Sequence, residues 1–321
     1  MLNQAPARAD REVSLPKISL QSTIMSQCSP QINLGGAMDP NRDIASARRE
    51  QILGRDLVAS DSQYFDAGAR RYSTGAADLS HLVGFENLGA GCVVHRVREA
   101  EIPGEPRRWV RHVEQAITRL GGVQSRWYLD ESDVELARVL AELGYRARVE
   151  LGYVLDADPR PPRIVSGRPL AIAESVALRA ITTPAEWTAK LRIHRHAAAG
   201  LDGYAVTPEQ WVAMERRKCT AGYMRPYLIE RGGRVAGAVN VAICGSILRM
   251  KNLIITPEHR RQGVATRFAA GLAQMAATMK CDAAGCFAIV GEIGAQVYPG
   301  AGYREVIRQV EWVKPLAPGN R

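Results

Sequence analysis

The chain has 321 residues, of which 46% are hydrophobic and 23% charged, with a formal net charge of +9. That length suits two domains of ordinary size, each burying its own core, and the apolar content excludes a wholly disordered chain. Arg is spread along the whole chain without a block of five like charges, so the excess charge reads first as that of an Arg-rich soluble protein and second as attraction for an anionic ligand such as a nucleotide cofactor, rather than as a nucleic-acid-binding surface.

Residues 1–43 carry Pro, Ser, Gln and Asn with no sustained period and are expected to form a disordered tail; Met38 is a second candidate start. Arg8, Asp10, Arg11 and Glu12 are followed by no apolar stretch, so no secretory signal is read there. A helix is expected over 45–57, then short strand-like pieces, the clearest being 92–97. Trp109, Val110, Val113, Ala116, Ile117 and Leu120 fall at helical spacing, and Gly121-Gly122 ends that helix. A strand over 126–129, a helix over 134–143 stopped by Gly144, and a strand over 146–155 complete a first domain, 44–156. Residues 157–162, with three prolines in four positions, read as a linker.

The second domain, 163–316, opens with helices over 184–199 and 207–221. The second of these carries Thr207-Pro-Glu-Gln210, an N-cap with Pro in the first turn and Gln three residues on. Strands over 226–230 and 234–244 flank the hairpin signal Arg231-Gly232-Gly233. A strand over 247–256, a long helix over 264–279, a buried strand over 286–290, a short helix over 293–298 and a strand over 303–313 follow, with 317–321 as a tail. Apolar runs such as 235–244 are far too short to cross a bilayer, so no membrane partner is expected. Six cysteines with no CxxC pair exclude a zinc or disulfide framework; no metal is expected, and a reducing cytoplasm is the expected compartment.

The segment that carries chemistry is Leu253-Ile254-Ile255-Thr-Pro257-Glu-His-Arg260-Arg261-Gln262-Gly263-Val264-Ala265-Thr266. A buried strand enters a turn at Pro257, and a long helix follows at once. The first helical turn leaves backbone N–H groups unpaired, and the helix dipole adds partial positive charge there. Gly263 and Ala265 are small enough to let a phosphate approach the backbone, and Arg260 and Arg261 add full charges. Together they suit a pyrophosphate.

This segment resembles the acyl-CoA signature of the GNAT superfamily of N-acetyltransferases, with Arg260, Gly263 and Ala265 at its key positions. Downstream, Tyr298, Gly302 and Tyr303 resemble that family's short helix ending in Tyr and the Gly-aromatic pair after it. The resemblance covers about half the chain and implies a mixed α/β, mostly antiparallel sheet flanked by helices. It also implies acetyl-CoA or another acyl-CoA as co-substrate, held by 253–255 and 260–266. A thioester would lie between the strands 247–256 and 286–290, with its oxygen on a backbone N–H near Ile255. Tyr298 would be the acid for the leaving thiolate. Two positions depart from the family pattern. Gly291 stands where many members have Asn, and the strand entering the turn offers Arg249, Lys251 and Asn252 but no carboxylate or imidazole base. Glu258, His259 and Glu292 are expected to be solvated, and His194 and His196, two apart on a helix, to face different sides.

Residues 143–155 resemble 301–313, each following a strand and a short helix, so the chain reads as a tandem repeat of one fold. With Gly144 and Gly302 in register, Leu140 stands where Tyr298 does, and no Arg-x-x-Gly-x-Ala turn precedes Trp109. The first half is expected to be a degenerate copy that shapes the substrate side. The favoured activity is transfer of an acetyl group to an amine of a small molecule by direct attack, by a monomer or homodimer. A non-catalytic acyl-CoA-binding or regulatory module, and a protein lysine or N-terminal acetyltransferase, remain open alternatives.

Overall fold

The computed structural model describes residues 40–159, 170–173, 176–198 and 207–316. The expected tails over 1–43 (but for the start of the first helix) and 317–321, and residues 160–162 of the linker, lie outside the described residues. In chain order the elements are α1 (Pro40–Asp66), β1 (Arg70–Ser73), β2 (Asp78–His81), β3 (Cys92–His95), α2 (Pro106–Arg119), β4 (Gln124–Asp130), α3 (Val134–Glu142) and β5 (Arg146–Asp156). There follow β6 (Leu170–Ala173), β7 (Val176–Ala180), α4 (Pro184–Ala198), α5 (Pro208–Thr220), β8 (Arg225–Arg231), β9 (Arg234–Cys244), β10 (Ile247–Ile255), α6 (Val264–Thr278), β11 (Ala283–Ile289), α7 (Ile293–Gly300) and β12 (Arg304–Pro315).

Among the described residues all strands join one 12-stranded sheet in the order β1-β2-β3-β4-β12-β5-β11-β10-β9-β8-β7-β6. Pairing is antiparallel throughout except for β3 with β4 and β10 with β11. Alternation along the strands assigns the two faces. Ile247, Val154 and Ala283 meet Leu53 and Leu57 of α1. Their neighbours Leu248, Ala284 and Cys286 meet Phe268, Leu272 and Met275 of α6 on the other side. Asn240 of β9, opposite Lys251, reaches Lys190 of α4 and Glu215 of α5, so α1, α4 and α5 share a face. On the first half, Trp109, Val113 and Ile117 of α2 and Leu136 and Leu140 of α3 pack on Trp127 and Leu129, as α6 and α7 do on the second. Full burial of each such apolar side chain contributes roughly 1.5–3 kcal/mol.

The elements β3-α2-β4-α3-β5 and β10-α6-β11-α7-β12 repeat one order, a parallel pair with its crossover helix, a second helix, then an antiparallel strand. The halves exchange their last strands. β5 lies against β11, from Ala283↔Asp156 to Ile289↔Glu150, while β12 lies against β4 and β5. The division drawn at 157–162 therefore falls between halves in sequence and not between two sheets in space; the described residues from Ile44 onward form one compact unit. Helix α1 runs nine residues past Leu57, the end expected from periodicity, and that extension carries Ser60, Asp61 and Tyr64 onto the sheet.

Candidate active site

Strands β10 and β11 pair only at Ile247–Ala283, Leu248–Ala284 and Arg249–Gly285, then part. Burial along β10 changes at that point, from buried over Ile247–Met250 to half-buried over 251–255. The cause is a bulge between Lys251 and Ile254 in the pairing of β10 with β9, which bends the strand. Asn252 takes a left-handed φ of 55° there, a conformation Asn tolerates better than most residues. Gly237 on β9 makes room, since a Cβ at that position would sit 2.3 Å from the Ile254 carbonyl oxygen. From below, Asn252 Nδ2 and Asn240 Nδ2 donate to Glu215 Oε1 at 2.7 and 2.8 Å. Glu215 pairs with Lys190 at 2.6 Å, both side chains fully buried. Burial works to raise the Glu215 carboxyl, but Lys190 and His194 outweigh it and its pKa is lowered.

The turn after β10 ends at Gly263, φ 73°, which is the N-cap of α6 and offers no side-chain cap. The N–H groups of the first turn are thus left for another acceptor. Val264 is buried in the core, while Ala265 and Thr266 are half-buried at the opening. Leu253 and Ile255 pack toward the α6 side and Ile254 toward α4. Arg260 and Arg261 are exposed, Arg261 with φ 55°. Arg260 Nε donates to the Ile255 carbonyl at 3.0 Å, which commits part of its guanidinium to the turn. Gln262 bonds Arg231 and donates to Glu258 O at 2.6 Å. Sequence reading missed Arg267, whose Nη2 donates to Gln262 O at 2.6 Å and whose buried Nε has no partner among the described residues.

Tyr298 of α7 lies on the α6–α7 side of the gap. Its ring stands 6.0 Å from Tyr153 and 5.7 Å from Tyr303, and its hydroxyl is beside the Cys286 thiol. Burial, then the proximity of Cys286, pushes the Tyr298 pKa well above its ordinary value, so the phenol stays protonated. Burial likewise pushes the Cys286 thiol up to about 12. The Tyr303 hydroxyl donates to Ala269 O at 3.0 Å and serves packing.

The opposite side of the gap is polar. Arg249 and Lys251 both turn toward α1, where Arg249 Nη2 meets Asp61 at 2.9 Å and Lys251 meets the same oxygen. Gln309 Nε2 donates at 2.8 Å both to Asp61 Oδ2 and to Glu150 Oε2. None of this was legible before folding, because Asp61, Glu150 and Gln309 come from three distant segments. Glu258 is exposed 3.6 Å from His196, His259 bonds Thr256, and Glu292 is exposed. His194 is buried beside Glu215 while His196 faces out. No group of three or more metal-ligating side chains forms among the described residues.

The first half places a contrasting arrangement at the equivalent point. The N-terminus of α2 is filled by its own N-cap, since Glu105 accepts from Arg107 N at 3.0 Å and Arg108 N at 2.8 Å. Leu140, in register with Tyr298, is fully buried in the core. Past the single β3–β4 pair Val94↔Trp127 lies a cavity of about 70 Å3, lined by His95, Tyr128, Asp130 and Asp133 and also by Asp61 and Gln309 of the polar side described above.

This mixed, mostly antiparallel sheet between helices is similar in fold to solved structures of GCN5-related N-acetyltransferases. The example from Kribbella flavida superposes with a TM-score of 0.51 at 20% identity, over 88% of this chain and 98% of that one. The example from Sphaerobacter thermophilus gives 0.53 at 17% identity, over 76% and 78%. A functionally unknown conserved protein from Staphylococcus epidermidis gives 0.51 at 11%, over 78% and 96%. No protein-family model and no curated protein matches the chain. At these identities the likeness establishes the fold.

Proposed function

We propose that the chain is an acyl-CoA-dependent N-acyltransferase that moves an acetyl group from acetyl-CoA to the amine of a small molecule, as a cytoplasmic enzyme with a metal-free site. The observation that carries this reading is the continuity of gap and cradle. Strands β10 and β11 pair no further than Arg249–Gly285, and β10 runs on through a turn into the uncapped N-terminus of α6. An elongated ligand with an anionic end fits such a site, because its phosphates would satisfy N–H groups that no described side chain caps. The buried, unpartnered Nε of Arg267 adds a donor beside them. An amide-bearing arm would meet the strand edges that lost their ladder.

In that reading the N–H groups of β10 near Ile255 hold the thioester oxygen and stabilise the charge that develops on it. The amine attacks directly, so positioning supplies much of the rate. Tyr298, held protonated, gives its proton to the leaving thiolate. Calorimetry with acetyl-CoA, followed by a thiol-release assay against a pool of primary amines, tests it. Binding without release under any amine would favour a non-catalytic acyl-CoA-binding module.

A further inference from the structure

An amine that attacks a thioester must first be neutral, and an alkylammonium is charged at pH 7, so the site needs a proton acceptor on the amine's side. Strand β10 carries none. We infer that the acceptor is Glu150, a residue of the first half delivered to the second half's gap by the strand exchange. The inference rests on the acyltransferase reading above.

Glu150 stands opposite Ile289 of β11, beyond the point where β10 departs. Cys286, which marks the Tyr298 side, lies three residues earlier on the same strand and so on the opposite face. The acid and the base thus flank the gap from its two sides, the acid toward the leaving sulfur and the base toward the incoming nitrogen. Lys251 faces Glu150 across the gap from β10, Asp61 from α1, Tyr128 and Arg126 from β4, and Gln309 and Glu311 from β12. Arg126 and Arg148 are engaged by Glu311 at 3.0 and 2.7 Å, and Arg249 and Lys251 by Asp61. No cation is thereby dedicated to Glu150 among the described residues, and Gln309 is its neutral hydrogen-bond donor. Burial, then the charges of Asp61 and Glu311, raise its pKa to about 7, where a base works well near neutral pH.

The protons balance. Two leave the ammonium, the N–C bond forms and the C–S bond breaks. Glu150 takes the first proton and releases it to solvent. The second replaces the one that Tyr298 gives to the sulfur.

The test compares the full chain with its Glu150→Gln variant, using acetyl-CoA and a pool of primary alkylamines, with kcat/KM followed across neutral pH. Wild type should lose activity as pH falls through about 7. The variant should lose about 100- to 10,000-fold at neutral pH, keep its affinity for acetyl-CoA, and recover in part with aromatic amines that are already neutral. The folded carboxyl titrates above its unfolded value, so its ionised form destabilises the fold at high pH. The variant's Tm at pH 8 should therefore match or exceed wild type. Wild-type kcat/KM and an unchanged acid limb in the variant overturn the base assignment alone. A loss of activity accompanied by lower Tm and weaker acetyl-CoA binding also overturns it, since that is a structural role. Acetyl-CoA binding by wild type with no amine turned over overturns the acyltransferase reading and this inference with it.

Discussion

At the scale of single residues, the cradle depends on one glycine. Gly263 holds φ 73°, and a Cβ there would stand 3.3 Å from Arg267 Nη1. Gly263→Val should abolish acetyl-CoA binding, because a β-branched residue disfavours that backbone and covers the N–H groups, while far-ultraviolet circular dichroism stays unchanged. Calorimetry reads the first effect. Tyr298→Phe keeps the ring contacts with Tyr153 and Tyr303 and removes only the donor. Its kcat should drop toward the lower end of the roughly 100- to 10,000-fold range for a general acid, with acetyl-CoA affinity nearly unchanged. Wild-type turnover in that variant would return Tyr298 to the core aromatics. Gly263 was visible in the sequence by its place between a strand and a helix, and Tyr298 through the resemblance carried by its local motif. Asp61 and Glu150 had no such signal.

At the scale of elements, the gap exists because β10 bulges. Three devices hold the bulge: Gly237 above it, the left-handed Asn252 within it, and the buried Glu215–Lys190 pair beneath. Gly237 inside an apolar strand is the kind of sequence mark that signals a bulge or a close backbone approach, so this much was readable. Glu215→Ala strands Lys190 in a fully buried site and should cost about 3–5 kcal/mol, measured by urea unfolding. Helix α1 contributes the matching anchor on the other flank. Burial works to raise the Asp61 carboxyl, but Lys251 and Arg249 outweigh it and hold it at about 2, against an ordinary 3.8. The folded value lies below the unfolded one, so this contribution is complete above about pH 4 and is lost as pH falls through about 2. Asp61→Asn should be less stable than wild type at pH 7, and the difference should narrow by pH 2; a constant difference across that range would rule out the charge as its origin.

At the scale of the whole molecule, the exchanged strands make the halves interdependent. The order β4-β12-β5-β11 leaves β11 with an open edge if the first half is removed, and β4 likewise if β12 is removed. Open apolar edges invite aggregation. Residues 160–321 expressed alone should be insoluble, and co-expression with 1–159 should restore a soluble complex. A soluble, cooperatively folding 160–321 fragment would show the exchange to be dispensable. The halves should also differ in binding. Glu105 occupies the N-terminus of α2 as an internal anion, whereas α6 offers an uncapped one. One acetyl-CoA should bind per chain, and a calorimetric stoichiometry of two would contradict that asymmetry.

The sequence by itself carried the resemblance between the two halves and the strand–turn–helix order around Gly263. Those are local facts, written in helical and strand periods, in glycine placement and in residues a few positions apart. It also showed that no Arg-x-x-Gly-x-Ala pattern precedes Trp109. Only the tertiary structure decided which half each last strand joins, because strand pairing is a long-range choice that periodicity does not encode. The same holds for the faces that Leu253, Ile254 and Ile255 take, since the bulge resets the alternation after Lys251. A carboxyl whose neighbours come from α1, β4, β10 and β12 acquires its proton affinity only when those elements meet.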